Sequence, residues 1–355
     1  MSRFFTERFA ALTPYTPGEQ PQERKYIKLN TNESPFPPSP GVSAAVAEEA
    51  KRLQLYSDPE SRLLTQALAE RYGLHREQVL VGNGSDELLN FAFMAFCDEE
   101  HPALFPDISY GFYPVYAQVN RVPYRELPLD EGMNVRLEDY DGLPGTVFLA
   151  NPNAPTGIAK KVSEIENLIR QRPDSVVVVD EAYVDFGAET VLPLVDRYEN
   201  LLVIRTYSKS RSMAGARLGF ALGSPALIGD LNTLKYSTNP YNVNRMTSAA
   251  GIAALREDDY YTANARTVAE TRDRTAAALR DMGFVLTDSK SNFLFARHPA
   301  VDGATLYRVL KERGILIRHF DKARIADWVR ITVGTQEQMS VFLQETEKVL
   351  TEYGA

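Results

Sequence analysis

Short apolar runs alternate with helical periods through the middle of this chain. Val79-Leu-Val81, Thr146-Val-Phe-Leu-Ala150, Ser175-Val-Val-Val-Val179 and Leu201-Leu-Val-Ile-Arg205 are too short for helices and partly β-branched, so they read as strands. The run ending at Val179 is apolar at consecutive positions, as a central parallel strand covered on both faces requires. Helical stretches over 43–53 and 61–72 precede the first strand, and an apolar helix follows it to Phe96. Ser163 and Glu166 have the spacing of a capping box for the next helix. Strand and helix alternate from Val79 to Phe220, which predicts an α/β unit built on a doubly wound, mainly parallel sheet.

The pattern changes on either side of that unit. Beyond Asn244 a stretch rich in Ala, Arg and Glu reads as helix, with breaks, to about Met282. Asn292-Phe-Leu-Phe-Ala-Arg297, Ile315-Leu-Ile-Arg318 and Trp328-Val-Arg-Ile-Thr-Val333 then read as strands. Helices are expected to start near Asp302 and at Thr335, where Thr335 and Gln338 fit a capping box. The first 40 residues carry Pro14-Tyr-Thr-Pro17 and Asn32-Glu-Ser-Pro-Phe-Pro-Pro38, which cannot continue a helix or a central strand. They read as an extended arm, either wrapped on the surface or reaching a partner subunit. The expected organisation is an arm over 1–40, a large unit over 41–243 and a smaller α+β C-terminal unit over 244–355.

Composition narrows the function classes. A chain of 355 residues with a formal net charge of -8 and no block of like charges is a poor partner for nucleic acid or an anionic membrane. Any anionic ligand must be held by local arginines. Cys97 is the only cysteine, so no intrachain disulfide and no cysteine-based metal site is expected. The stretch from Met1 to Ala11 lacks the apolar core of a signal peptide, and a reducing cytoplasm is the expected compartment.

Chemistry concentrates after the strand that ends at Arg205. Thr206-Tyr-Ser-Lys-Ser-Arg-Ser-Met-Ala-Gly-Ala-Arg-Leu-Gly-Phe220 brings Lys209 to the end of a buried strand, where loss of water favours a neutral, nucleophilic amine. Ser208 and Arg217 could hold a phosphate beside it. Most lysines are simply solvated, so the weight lies on the whole pattern Ser-Lys-x-x-x-x-Ala-Gly-x-Arg-x-Gly. Gly82-Asn-Gly-Ser-Asp-Glu87 opens a helix with free N–H groups, a common phosphate site though a weak signal alone. It lacks the third glycine of a nicotinamide-dinucleotide fingerprint. Asp180-Glu-Ala-Tyr183 puts a carboxylate at the end of a buried strand, which is costly unless a cation faces it, either an arginine or a pyridinium. Asn151-Pro-Asn-Ala-Pro-Thr-Gly157 is a loop at a strand end, where α/β proteins place ligands. The aromatics Tyr110, Phe112, Tyr113 and Tyr116 are core candidates, one of which could face a flat ring.

These four segments, with Arg330-Ile-Thr-Val-Gly-Thr335 and the arm Leu29-Asn-Thr-Asn-Glu-Ser-Pro35, occur in the order of one family. The sequence resembles the histidinol-phosphate aminotransferases of fold type I, over essentially its whole length. The resemblance implies pyridoxal 5'-phosphate bound through Lys209, which also moves the proton during transamination. It implies that Asp180 pairs with the pyridine nitrogen, Tyr183 bonds the ring's phenolic oxygen and Tyr110 lies against the ring face. Ser208, Arg217 and the N–H groups of Ser85 and Asp86 would hold the cofactor phosphate. Tyr56 would reach the phosphate of a neighbouring subunit, implying a homodimer with shared sites. Tyr15, Arg318 and Arg330 match substrate-binding positions, with a phosphorylated amine and glutamate or 2-oxoglutarate as the small-molecule partners. The family carries asparagine directly before Pro-Thr-Gly, where this chain has Ala154. Asn153 is the adjacent candidate for that contact. Aromatic amino-acid aminotransferases and phosphothreonine decarboxylases share the scaffold and are the alternatives. A cofactor-binding regulator would need a fused DNA-binding domain, for which the arm leaves no room.

Overall fold

The computed structural model describes residues 2–10 and 12–353, so Met1, Ala11 and the last two residues of the stretches delimited above lie outside it. In chain order the N-terminal part forms β1 (Ile27–Lys28), α1 (Pro40–Ala50), α2 (Arg62–Tyr72), β2 (Val79–Asn83), α3 (Ser85–Phe96), β3 (Ala103–Pro106), α4 (Tyr113–Asn120) and β4 (Tyr124–Leu127). The middle continues with β5 (Thr146–Ala150), α5 (Val162–Gln171), β6 (Val177–Asp180), β7 (Leu201–Thr206), β8 (Leu218–Gly223) and α6 (Pro225–Thr238). The remainder is α7 (Arg245–Arg256), α8 (Asp258–Asp281), β9 (Val285–Leu286), β10 (Phe293–Arg297), α9 (Gly303–Glu312), β11 (Ile315–Leu316), β12 (Arg318–His319), β13 (Val329–Thr332) and α10 (Gln336–Tyr353).

Seven strands form one sheet in the order β2-β8-β7-β6-β5-β3-β4. Every pairing is parallel except those of β8 with its two neighbours, as expected of a doubly wound, mainly parallel sheet. β5, β6 and β7 are buried at every position, which accounts for their unbroken apolar character. Alternate residues of these strands enter two cores: Val177, Val179 and Val203 on one face, and Phe148, Val178 and Ile204 on the other. The parallel strands thus end together, and Asn83, Ala150, Asp180 and Thr206 mark that edge. Ligands of open α/β sheets bind along such an edge.

A second, antiparallel sheet runs β12-β13-β10-β9 and packs with α8, α9 and α10 around Leu294, Ile331 and Phe342. The arm joins the same core through a separate two-stranded sheet. β1 pairs in parallel with β11, and Leu29 is buried in this smaller core. In the other direction, Ala250 and Ala254 of α7 belong to a core of the large sheet. Two segments therefore pack across the sequence divisions given above.

Three local expectations need correction. Ile315-Leu-Ile-Arg318 is not one strand: β11 pairs with β1 and β12 with β13, so the chain changes sheets at Ile317. The capping pair of α5 is not Ser163 and Glu166. The helix starts at Val162, the Lys161 N–H donates to Glu164 Oε2 at 3.0 Å, and Glu166 accepts from Tyr198 Oη instead. α1 starts at Pro40 rather than Ser43, since proline suits a first helical position. The Thr335 and Gln338 box is present: the Thr335 N–H donates to Gln338 Oε1 at 2.9 Å, and the Gln338 N–H to Thr335 Oγ1 at 3.3 Å.

Candidate active site

The carboxyl edge of the large sheet opens into a cavity. Ser85 and Asp86 from α3, Tyr110, Ala154, Asp180 and Tyr183 line it, with Ser208, Lys209 and Arg217 from the segment after β7. That segment is fixed by its backbone. The Tyr207 N–H donates to the Leu218 carbonyl at 2.9 Å, and the Met213 N–H to the Tyr207 carbonyl at 3.0 Å. Lys209 is delivered half-buried, its Nζ donating to the Thr31 carbonyl of the arm at 3.4 Å and lying 5.6 Å from the Tyr183 ring centre.

Close backbone approach shapes one end of the cavity. A Cβ at Gly219 would lie 2.4 Å from the Ser85 nitrogen and 2.6 Å from the Gly84 carbonyl carbon, so only glycine lets β8 sit against the start of α3. Gly84, at φ +80°, turns the chain into α3, whose first N–H groups have no side-chain cap. Arg217 lies beside them, its Nη2 donating to Asp86 Oδ2 at 2.7 Å. Tyr110 Oη donates to the other oxygen of Asp86 at 2.6 Å, and burial, then the Asp86 charge, holds this phenol's pKa well above its ordinary value. The Ser208 N–H donates to Thr206 Oγ1 at 3.1 Å, which places the Ser208 hydroxyl in the cavity wall.

Asp180 decides the electrostatics. It is buried, and the only hydrogen bond to its carboxylate among the described residues comes from the Ala182 N–H at 3.1 Å. The arginine that could have paired with it is committed elsewhere: Arg205 Nε and Nη2 donate to Glu181 Oε2 at 2.9 and 2.8 Å. Loss of water pushes the Asp180 carboxyl up to about 7. A buried carboxylate with no ion-pair partner within 4.0 Å among the described residues, on the wall of a cavity, suits a cationic ligand atom.

The loop after β5 corrects one assignment. Asn153 is buried, its side chain tying its own loop to the segment that follows β3. Its Oδ1 accepts from Ser109 Oγ at 2.7 Å, and its Nδ2 donates to the Ile108 carbonyl at 2.9 Å and to Thr156 Oγ1 at 3.2 Å. Ser109, Ile108 and Thr156 hold its amide, and the residue of this pair that lines the cavity is Ala154. Asn153 is therefore not the stand-in for the asparagine this chain lacks.

The smaller sheet carries the two arginines expected to bind an anion, neither of them in the wall of the cavity described above. Arg318 on β12 and Arg330 on β13 are directly opposite in register. Like charges at paired positions repel, and neither arginine has a carboxylate within 4.0 Å among the described residues. Asp321 lies near His319 instead, at 3.6 Å. Arg330 Nη2 donates to the Asn30 carbonyl at 3.0 Å, its Nε has no partner among the described residues, and burial lowers its pKa. Arg318 donates to the Thr16 and Pro17 carbonyls at 3.1 and 3.2 Å. Tyr15 packs on Phe112 with ring centres 4.3 Å apart, within electrostatic reach of Arg330. Tyr56 is not brought to this cavity. It is 79% exposed and stacked on Tyr241 at 4.6 Å.

One site residue escaped the sequence reading. Asn32, in the arm, is buried at φ +56°, and its Nδ2 donates to Tyr183 Oη at 2.9 Å. Its sequence signal was the left-handed turn that asparagine tolerates. Nothing local pointed to a partner 151 residues away.

Comparisons with known proteins agree with this geometry. Residues 24–345 match the family model described as aminotransferase class I and II. The chain is 49% identical to the histidinol-phosphate aminotransferase of Chromohalobacter salexigens, over 98% of this chain and 99% of that one. It is 42% identical to the histidinol-phosphate aminotransferase of Brachyspira hyodysenteriae, over 99% of both. Among solved structures, the histidinol-phosphate aminotransferase from Sinorhizobium meliloti in complex with pyridoxal-5'-phosphate superposes with a TM-score of 0.89 at 24% identity, covering 99% of both chains. The chain therefore belongs to the class I and II aminotransferases, and within them to the histidinol-phosphate aminotransferases.

Proposed function

We propose that the protein is a pyridoxal 5'-phosphate-dependent transaminase that passes the amino group of L-histidinol phosphate to 2-oxoglutarate, yielding glutamate. The paired Arg318 and Arg330 carry the substrate reading. Two guanidinium groups in cross-strand register, free of carboxylates among the described residues, match a phosphate monoester dianion.

The residues present fit the cofactor. Buried Asp180 has no ion-pair partner among the described residues, and a protonated pyridine nitrogen would supply one and hold the carboxyl ionised. Ser85 and Asp86 at the α3 N-terminus, Ser208 and Arg217 all line the cavity and would hold the cofactor phosphate. The Tyr183 hydroxyl and the Tyr110 ring line the space between. When bound, the cofactor supplies an aldehyde that captures amines and a ring that accepts the electron pair left by a departing proton. Lys209 Nζ would hold that aldehyde at rest and, once free, would move the proton from the substrate carbon bearing the amine to the former aldehyde carbon. Asp180 would keep the pyridine nitrogen protonated. Arg318 and Arg330 fix the far, phosphorylated end of the substrate, so binding energy there orients the reacting carbon beside Lys209.

The same reading makes the protein a cytoplasmic homodimer with shared sites, working on small molecules rather than nucleic acid or membrane. Its support is the exposed Tyr56, stacked on Tyr241 and free to reach a second copy, and the absence among the described residues of any helix long and apolar enough to cross a membrane. The division into arm, large unit and small unit at 40/41 and 243/244 belongs to this proposal, with the arm and α7 bridging the units. Borohydride reduction of the purified holoprotein followed by peptide mapping tests the core of the reading. The label is expected on Lys209 alone, and Lys209→Ala should lose both label and turnover. Labelling of another lysine would overturn it.

A further inference from the structure

Ala154 is the residue of the β5 loop that lines the cavity, so the loop offers no polar side chain there, and the Tyr183 hydroxyl is the group expected to meet a ring oxygen. Which way its proton points then matters. Asn32 settles the direction. The Asn32 N–H donates to Thr332 Oγ1 at 2.9 Å, and the Thr332 hydroxyl donates back to Asn32 Oδ1 at 3.0 Å. Thr332 is buried, and that amide oxygen is the only acceptor for its proton among the described residues. Reversing the Asn32 amide would strand the Thr332 proton, so Nδ2 is the group that faces Tyr183 Oη at 2.9 Å. The Asn32 carbonyl is held as well, accepting from Asn292 Nδ2 at 3.0 Å.

A tyrosine oxygen that accepts from an amide N–H must send its own proton elsewhere. Tyr183 Oη has no protein acceptor among the described residues, and the residue lines the cavity, which leaves the cavity as the direction for its O–H. We propose that Asn32 is a positioning residue for the reaction: it fixes Tyr183 as a hydrogen-bond donor into the site and so takes over the tuning that Ala154 cannot supply. The inference rests on the pyridoxal phosphate reading above. It also ties that tuning to the anion site, because Thr332 lies two residues from Arg330 on β13.

The test uses the absorbance of the Lys209-linked cofactor in the holoprotein as a function of pH. Asn32→Asp keeps the size and the tolerance of a left-handed backbone but accepts where asparagine donates. Tyr183 must then turn its proton to the carboxylate and away from the cofactor. The chromophore pKa is expected to rise by about one unit, the scale of one hydrogen bond to a charged oxygen. Tyr183→Phe should raise it similarly, and the double variant should add little beyond either single change, because both remove the same bond. Asn32→Gly, which removes the side chain without backbone strain, gives an independent reading if the aspartate variant folds poorly, with a smaller rise expected. A normal chromophore whose pKa is unmoved in both Asn32 variants, or shifts that simply add to that of Tyr183→Phe, would overturn the role of Asn32 alone. No lysine-linked chromophore in the unmodified protein would overturn the cofactor reading and this inference with it.

Discussion

Replacing Arg330 with glutamine tests the substrate assignment most directly. Among the described residues the Arg330 side chain makes one hydrogen bond, to the Asn30 carbonyl, and its Nε has no partner. Most of its donor capacity is thus open to a ligand, and Arg318 stands opposite with its own charge unpaired by any carboxylate among the described residues. A hydrogen bond to a charged group contributes about 1.5–3 kcal/mol. At about 1.4 kcal/mol per decade, losing the Arg330 contact should lower kcat/KM for histidinol phosphate by about 10- to 100-fold. Histidinol itself has no phosphate to lose, so its kcat/KM should change by less than about threefold, within ordinary coupling between sites. In the unmodified protein the two arginines together should favour the phosphorylated amine by at least about a hundredfold. Single-turnover absorbance with each amine, on the unmodified protein and Arg330→Gln, gives the full cycle. Equal losses on both amines would mean that Arg330 serves the structure and not the phosphate. A preference for phenylalanine in the unmodified protein would move the assignment to an aromatic aminotransferase.

Two further outcomes follow from the site. Asp180 ionises near 3.9 when unfolded and near 7 in the folded chain, so the folded cofactor-free protein binds the extra proton between these values. Its stability is then fullest below about 4 and falls as pH rises through about 7, by about 4 kcal/mol at about 1.4 kcal/mol per decade of proton affinity. Urea denaturation of the cofactor-free protein across that range should show this slope, Asp180→Asn should lose it, and an identical slope in both would refute the assignment. For the loop after β5, Asn153→Ala removes three side-chain hydrogen bonds and should cost about 2–3 kcal/mol in denaturant, with the chromophore pKa unmoved. Ala154→Asn should lower that pKa, and the opposite pattern in spectral titration would restore Asn153 to the cofactor.

Much of this protein was legible in its sequence because the decisive signals are local. A strand buried on both faces must be continuously apolar, so Val176 to Val179 announced the centre of the sheet, and the residue after it, Asp180, was placed at the sheet's edge by the strand's own length. Lys209 followed from the end of β7 in the same way, and the glycines before α3 marked a close approach that Gly219 completes from β8. What the sequence left open are relations between distant segments. Whether Arg205 pairs with Asp180 or Glu181 depends on which faces of adjacent strands the side chains share. Whether Asn153 or Ala154 faces the cavity is a rotation of one loop, fixed by Ser109, Ile108 and Thr156. Arg318 and Arg330 become a pair only through the antiparallel register of β12 and β13, and the break at Ile317 that sets it has no local mark. Asn32 reaches Tyr183 because β1 docks on β11 and carries the arm into the site. Backbone preference and burial act over a few residues and can be read along the chain, whereas hydrogen-bond partners are chosen by packing in space, which only the folded structure decides.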